Sequence, residues 1–171
     1  MISQTVFHMF SNDNFEYKLI TYSEEETRRL GFLIGTYAYG GLCVLQYGDL
    51  GMGKTMLAQG IGSALGIKNI KSPTFVIIGE HDNARLPLIH VDLYRLDTDK
   101  EIDALDLENY IDQKCLLVVE WAEHWKNAPS EDCLCVRFAL SGNDQFTREI
   151  SMKSVGANAA SMLKNMIETF K

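Results

Sequence analysis

A lysine and a threonine side by side close the eight-residue stretch Gly48-Asp49-Leu50-Gly51-Met52-Gly53-Lys54-Thr55. The spacing is glycine, four residues, glycine, lysine, threonine, the P-loop pattern for binding phosphate. Phosphate oxygens need several backbone N–H groups turned inward, and glycine lets the chain curl that tightly. The apolar run Leu42 to Tyr47 precedes the loop, and a segment from Lys54 to Leu65 follows it. A helix starting there offers unpaired amides and a dipole that favour an anion. Lys54 would add a point charge on the β and γ phosphates, and the Thr55 hydroxyl a ligand for Mg²⁺. An ordinary glycine turn between a strand and a helix is the plain alternative, and the strand-then-helix setting weighs against it.

Such a loop calls for an acidic residue at the end of a neighbouring buried strand. Glu120 follows Cys115-Leu116-Leu117-Val118-Val119, and Asp92 closes His90-Val91-Asp92. Strand C-termini are where α/β sheets put ligands, so both are candidates. Glu120 is the better metal candidate. Asp92 would position the attacking water or complete the outer shell of the metal. The bland reading of each is a carboxylate capping a strand end or paired with Arg95. Ser72-Pro73-Thr74-Phe75 sits where switch-like loops sense the γ phosphate, or is a plain proline turn. Trp121 stacks near the nucleotide or belongs to the core. His90 and His124 read as structural residues. Arg148 reaches a phosphate or makes a surface ion pair.

The elements that must position these groups follow from periodicity. Phe15 to Tyr22 alternates as a strand, and Ser23 with Glu26 fits a capping box opening a helix. That helix turns Leu30, Leu33, Ile34, Tyr37 and Ala38 inward, and Gly40-Gly41 ends it. Leu57, Ile61, Ala64 and Leu65 form the inner face of the P-loop helix, with Gly66 as its C-cap. Val76-Ile77-Ile78 reads as a strand, paired across Asn83 to Arg85 with Leu86 to Asp92. Asp99 to Tyr110 reads as one or two short helices. Cys115 to Val119 has the unbroken apolar character of a strand buried on both faces. Asp132 to Leu140 and Phe146 to Met152 form a second hairpin, and a last helix carries Ala159, Met162, Leu163, Met166, Ile167 and Phe170. The first fourteen residues give no readable pattern. The expectation is a single α/β domain over residues 1–171 with a mixed sheet.

The 171 residues suffice for one domain with a full core. Net charge is -7, which argues against wide direct contact with nucleic acid. No run reaches the length of a membrane span, and Met1 to Asn14 lacks the features of a secretory signal. Cysteines 43, 115, 133 and 135 form no C-x-x-C pair. They read as buried free thiols in strand-like stretches of a cytoplasmic protein.

With these residues assembled, the chain resembles the TsaE family, P-loop ATPases of bacterial threonylcarbamoyladenosine biosynthesis, a tRNA modification beside the anticodon. The resemblance spans about Ser23 to Ile150. It rests on the P-loop, Ser72-Pro73-Thr74-Phe75, His90-Val91-Asp92-Leu93-Tyr94-Arg95-Leu96, Leu107-Glu108-Asn109-Tyr110 and Glu120-Trp121. It implies a P-loop NTPase-like three-layer domain with a mixed, largely parallel central sheet. It further implies ATP and Mg²⁺ as cofactors, with Thr55 and Glu120 as metal ligands. Lys54 and the backbone of Gly51, Met52, Gly53, Thr55 and Met56 would hold the phosphates, and Asp92 would be essential for hydrolysis. Glu24, Glu123 and Arg148 match positions near the nucleotide. The implied activity is a weak ATPase that docks on a TsaB–TsaD complex and resets it between turnovers, meeting tRNA only through that complex. Met52 and Met56 depart from the family's small residues or threonine, Asp106 stands for a frequent glycine, and Ala122 for a frequent proline.

Two other readings share the scaffold. A small-molecule or nucleotide kinase would need lid arginines to clamp the moving phosphoryl group, and no compact arginine-rich lid is present. A non-catalytic interaction module, ordered by its nucleotide, would keep the loop without the chemistry.

Overall fold

The computed structural model describes residues 6–11, 14–142 and 146–170. Among the described residues eight strands form one sheet in the order β1-β2-β8-β7-β3-β6-β5-β4. The central four are β3 (Cys43–Tyr47), β5 (Leu88–Asp92), β6 (Leu116–Glu120) and β7 (Cys133–Leu140). They run parallel to one another. Antiparallel strands flank them: β4 (Ile78–His81) on one side, and β8 (Arg148–Val155), β2 (Asn14–Thr21) and β1 (Val6–Ser11) on the other. The sheet is mixed, with a parallel centre.

Strand alternation divides the interior into two cores. Leu42, Val44, Leu88, Leu116 and Val118 face one way, against helices α1 (Glu24–Tyr37), α2 (Lys54–Ala64) and α5 (Ala157–Phe170). Cys43, Leu45, Ile89, Val91, Leu117 and Val119 face the other way. There they meet the short helices α3 (Asp99–Asp103) and α4 (Leu107–Asp112), together with Trp125. The result is three layers with helices on both faces. β5 and β6 are buried throughout, which is why they read as continuous apolar runs broken only by His90, Asp92 and Glu120.

The two helices nearest the P-loop are set by local chemistry. The Ser23 hydroxyl accepts the Glu26 amide at 3.2 Å and starts α1. The Glu26 carboxylate bonds the amide of Tyr22 at 2.7 Å rather than that of Ser23, so the expected reciprocal box closes one residue earlier. α2 ends as expected at Gly66, where Gly66 and Ile67 donate to the carbonyls of Ser63 and Gly62. α1 and α2 then touch backbone to backbone. A Cβ at Gly60 would lie 2.0 Å from the Arg28 carbonyl oxygen, and one at Gly31 2.1 Å from that of Leu57. Periodicity shows the apolar face of α1 but not this contact.

Two expectations are corrected. Val76-Ile77-Ile78 is not a strand: Thr74 to Val76 is a turn, and Ile77 takes a positive φ of 69°. β4 begins only at Ile78, leaving Phe75 and Val76 exposed. β-branched composition suggested a strand where the chain turns. Cys115 lies just before β6 rather than inside it. The unreadable amino-terminal stretch contains β1, which pairs with β2, while residues 1–5, 12 and 13 lie outside the described ones. All four cysteines are free, and Cys135 is half-buried. Among the described residues no helix is long and apolar enough to cross a membrane.

Candidate functional site

The P-loop leaves the C-terminal end of β3 and enters α2. Gly48 has a φ of 136°, and a Cβ there would lie 2.9 Å from the Phe138 carbonyl oxygen. Gly53, the N-cap of α2, has a φ of 105° and no side chain to cap the helix. The first amides of α2 are therefore open to a ligand. Lys54 is the first residue of that helix and is 4% exposed. Its ammonium donates to the carbonyl oxygens of Gly48 and Asp49. It also lies 3.8 Å from the centroid of the Trp121 ring. Burial pulls the Lys54 pKa below its ordinary value, while the charges of Glu120, Glu123, Asp92 and Asp49 push it back up.

Glu120 ends β6 beside the loop. Its Oε2 accepts the Thr55 hydroxyl at 2.9 Å, and its Oε1 meets His90 Nε2 at 2.8 Å. Asp92 ends β5 directly across from Glu120 in the parallel register. The Asp92 Oδ2 accepts the hydroxyls of Ser72 and Thr74, and its Oδ1 accepts the Tyr94 amide at 3.0 Å. The Ser72-Pro73-Thr74-Phe75 segment is thus tied to the carboxylate by two hydrogen bonds. Arg95 does not pair with Asp92; its guanidinium lies 4.3 Å from the centre of the Phe75 ring.

These groups line one cleft of about 290 Å³ between the P-loop and the ends of β5 and β6. Gly51, Met52, Gly53, Lys54, Thr55, Met56, Asp92 and Glu120 all border it, as do Glu24, Ser72, Thr74, Tyr94 and Trp121. Trp121 has a φ of 60°, a conformation uncommon for a bulky residue and one that clusters at functional sites. Its ring lies 4.8 Å from that of Tyr94, centre to centre, so Trp121 serves the cleft as well as bordering the core. Across the P-loop a second hollow is lined by Glu24, Leu50, Leu140, Phe146 and Arg148. The Arg148 guanidinium donates to the Gly51 carbonyl at 3.2 Å. Glu123 stands in the turn Ala122–His124 outside both walls, and only its charge reaches Lys54. His124 is structural, with Nδ1 against the carbonyls of Leu93 and Leu96.

The donor set suits a divalent cation beside phosphate. Thr55 Oγ1 and Glu120 Oε2 are 2.9 Å apart, and neighbouring oxygens around an octahedral Mg²⁺ are also about 2.9 Å apart, given bonds of about 2.0–2.1 Å. Two hard oxygens beside open helix amides are what such an ion uses with a phosphate. Sequence reasoning missed Tyr94 as a wall of the cleft, and it read His90 as structural without its bond to Glu120 behind that wall. The signal for His90 was available: it lies two residues before Asp92 on one strand, and therefore on the same face.

A parallel-centred sheet with a P-loop opening α2 and carboxylates at the adjacent strand ends defines a P-loop NTPase-like fold. A model of the family described as threonylcarbamoyl adenosine biosynthesis protein TsaE matches residues 21–150. The chain belongs to the TsaE family of tRNA threonylcarbamoyladenosine biosynthesis. It is 36% identical to the TsaE protein of Bacillus subtilis, over 80% of this chain and 84% of that one. It is 41% identical to the TsaE protein of a Nostoc species, over 66% of this chain and 72% of that one. The crystal structure of Bacillus subtilis YdiB superposes with a TM-score of 0.80 at 30% identity, covering 96% of this chain and 99% of the other. The backbone at Asp106 and at Ala122 is of a kind that suits glycine and proline, respectively. Asp106 holds a φ of 50°, where glycine is easy. Ala122 is the first residue of a 3-10 turn, a position that suits proline.

Proposed function

We propose that this chain binds ATP with Mg²⁺ and hydrolyses it weakly in the service of a TsaB–TsaD complex that modifies tRNA. The observation that carries the reading is the Thr55–Glu120 pair beside Lys54 and the open amides of α2. Lys54 moves its ammonium from the loop carbonyls to the β and γ phosphates, exchanging neutral acceptors for charged ones. The backbone from Gly51 to Met56 binds the phosphate oxygens. Thr55 and Glu120 would hold Mg²⁺, which would supply neutralisation of charge on the phosphates. Asp92, fixed by three donors, orients water toward the γ phosphate. Its bonds to Ser72 and Thr74 couple that task to the adjoining loop. Glu24 and Arg148 border the nucleoside end, and Glu123 acts on Lys54 at a distance.

The test is ATP hydrolysis by the purified chain with Mg²⁺, alone and with TsaB and TsaD. Stimulation by the partners that disappears in Lys54→Ala supports the ATPase. Absence of hydrolysis in both settings rejects it in favour of an interaction module, and phosphate appearing on a small acceptor would indicate a kinase.

A further inference from the structure

We infer that His90 is a positioning residue for Glu120, fixing which carboxylate oxygen is offered to the cation. The inference rests on the reading of Thr55 and Glu120 as the Mg²⁺ ligands. β5 and β6 are in parallel register with Asp92 opposite Glu120 and His90 opposite Val118. His90, Asp92 and Glu120 consequently point to the same face, with His90 one step deeper in the sheet. Its Nε2 reaches Glu120 Oε1 at 2.8 Å from beneath, while Thr55 meets Oε2 at 2.9 Å from the cleft side.

Glu120 is 2% exposed and His90 is 1% exposed, so water is a poor substitute for either partner. Burying a carboxylate is tolerable only where its oxygens are bonded. Among the described residues the only side chains bonded to Glu120 are Thr55 and His90. A glutamate carboxylate can rotate about its last bond. Anchoring Oε1 stops that rotation and leaves Oε2 facing Thr55. Asp92 cannot do this, because a carboxylate has no hydrogen to donate and its oxygens already accept from Ser72, Thr74 and the Tyr94 amide. Groups that bond a metal ligand in this way typically alter metal affinity about tenfold to a hundredfold.

The test compares His90→Leu, His90→Asn and His90→Gln in the full chain. Glutamine can present an N–H near the place of Nε2, whereas asparagine is too short and leucine has no donor. ADP affinity is measured by calorimetry with Mg²⁺ and with EDTA, and Mn²⁺ affinity of the ADP complex by electron paramagnetic resonance. We expect Leu and Asn to lose about tenfold to a hundredfold in Mn²⁺ affinity and in the Mg²⁺-dependent gain in ADP binding. ADP binding in EDTA should be unchanged, and Gln should restore most of the loss. Wild-type Mn²⁺ affinity in Leu or Asn overturns the inference, as does an equal loss of ADP binding with and without metal, which would mark His90 as structural only. If the leucine variant does not fold, the Asn and Gln pair decides by the same criteria. A wild-type ADP affinity indifferent to Mg²⁺, alongside weak ADP binding by Lys54→Ala, would instead refute the cation reading of Thr55 and Glu120, and the inference with it.

Discussion

The site has a deep end, the cleft, and an outer end, the hollow across the P-loop, and the two are built differently. At the deep end Lys54, Asp92 and Glu120 are at most 4% exposed, and each is held by two or three hydrogen bonds. Three strand ends and the first turn of α2 converge there. The outer end is formed by the start of α1 and the β7–β8 hairpin, with Leu50, Leu140 and Phe146 exposed and Arg148 half-buried. Buried bonded groups have one geometry, and changing one leaves its partner unsatisfied. Exposed groups can be replaced by water. The geometry is fixed at one end and free to adjust at the other.

This contrast ranks the expected effects of substitution. Lys54→Ala should lower ATP hydrolysis by about 10²–10³-fold, as loss of a charge-stabilising donor does in other active sites; a loss below tenfold in a steady-state phosphate-release assay would break the comparison. Glu120→Gln keeps the shape and an oxygen for His90 but removes the charge. It should weaken Mg²⁺-dependent ADP binding by about a hundredfold while leaving binding in EDTA near wild type, as calorimetry would show. Arg148→Ala, at the outer end, should change ADP affinity by less than about fivefold, the scale of a partly exposed charged contact. A larger loss would mean that the outer end is as rigid as the deep one. Asp106→Gly, remote from both ends, should leave ADP binding unchanged and raise stability by about 0.5–1 kcal/mol in thermal unfolding, by relieving the positive φ.

The same contrast explains what was legible in the sequence. Lys54 and Thr55 could be read because the loop is contiguous and its glycines are required at fixed spacing. Asp92 and Glu120 could be read because each ends an apolar strand. The partnership of His90 with Glu120 depends on which strands are neighbours and in what register, and no local pattern specifies that. Glu24 and Arg148 lie far apart in sequence and border one hollow only in the fold; family likeness alone pointed to Glu24, and the residues alone left Arg148 between a phosphate contact and a surface ion pair. Val76 and Ile77 misled for another reason: their intrinsic strand preference is overridden at a turn tied to Asp92 through Ser72 and Thr74. β1 escaped notice because Val6, Phe7, Met9 and Phe10 do not alternate.

The placement of the Lys54 ammonium over the Trp121 indole has an optical consequence. The chain has two tryptophans, and the other, Trp125, lies in the core beneath α3 and α4. A phosphate that drew the ammonium away would alter the electric field at the Trp121 ring far more than at Trp125. Occupancy of the loop should therefore be readable as a change in intrinsic ultraviolet emission, without any attached dye, and Trp121→Phe should silence it.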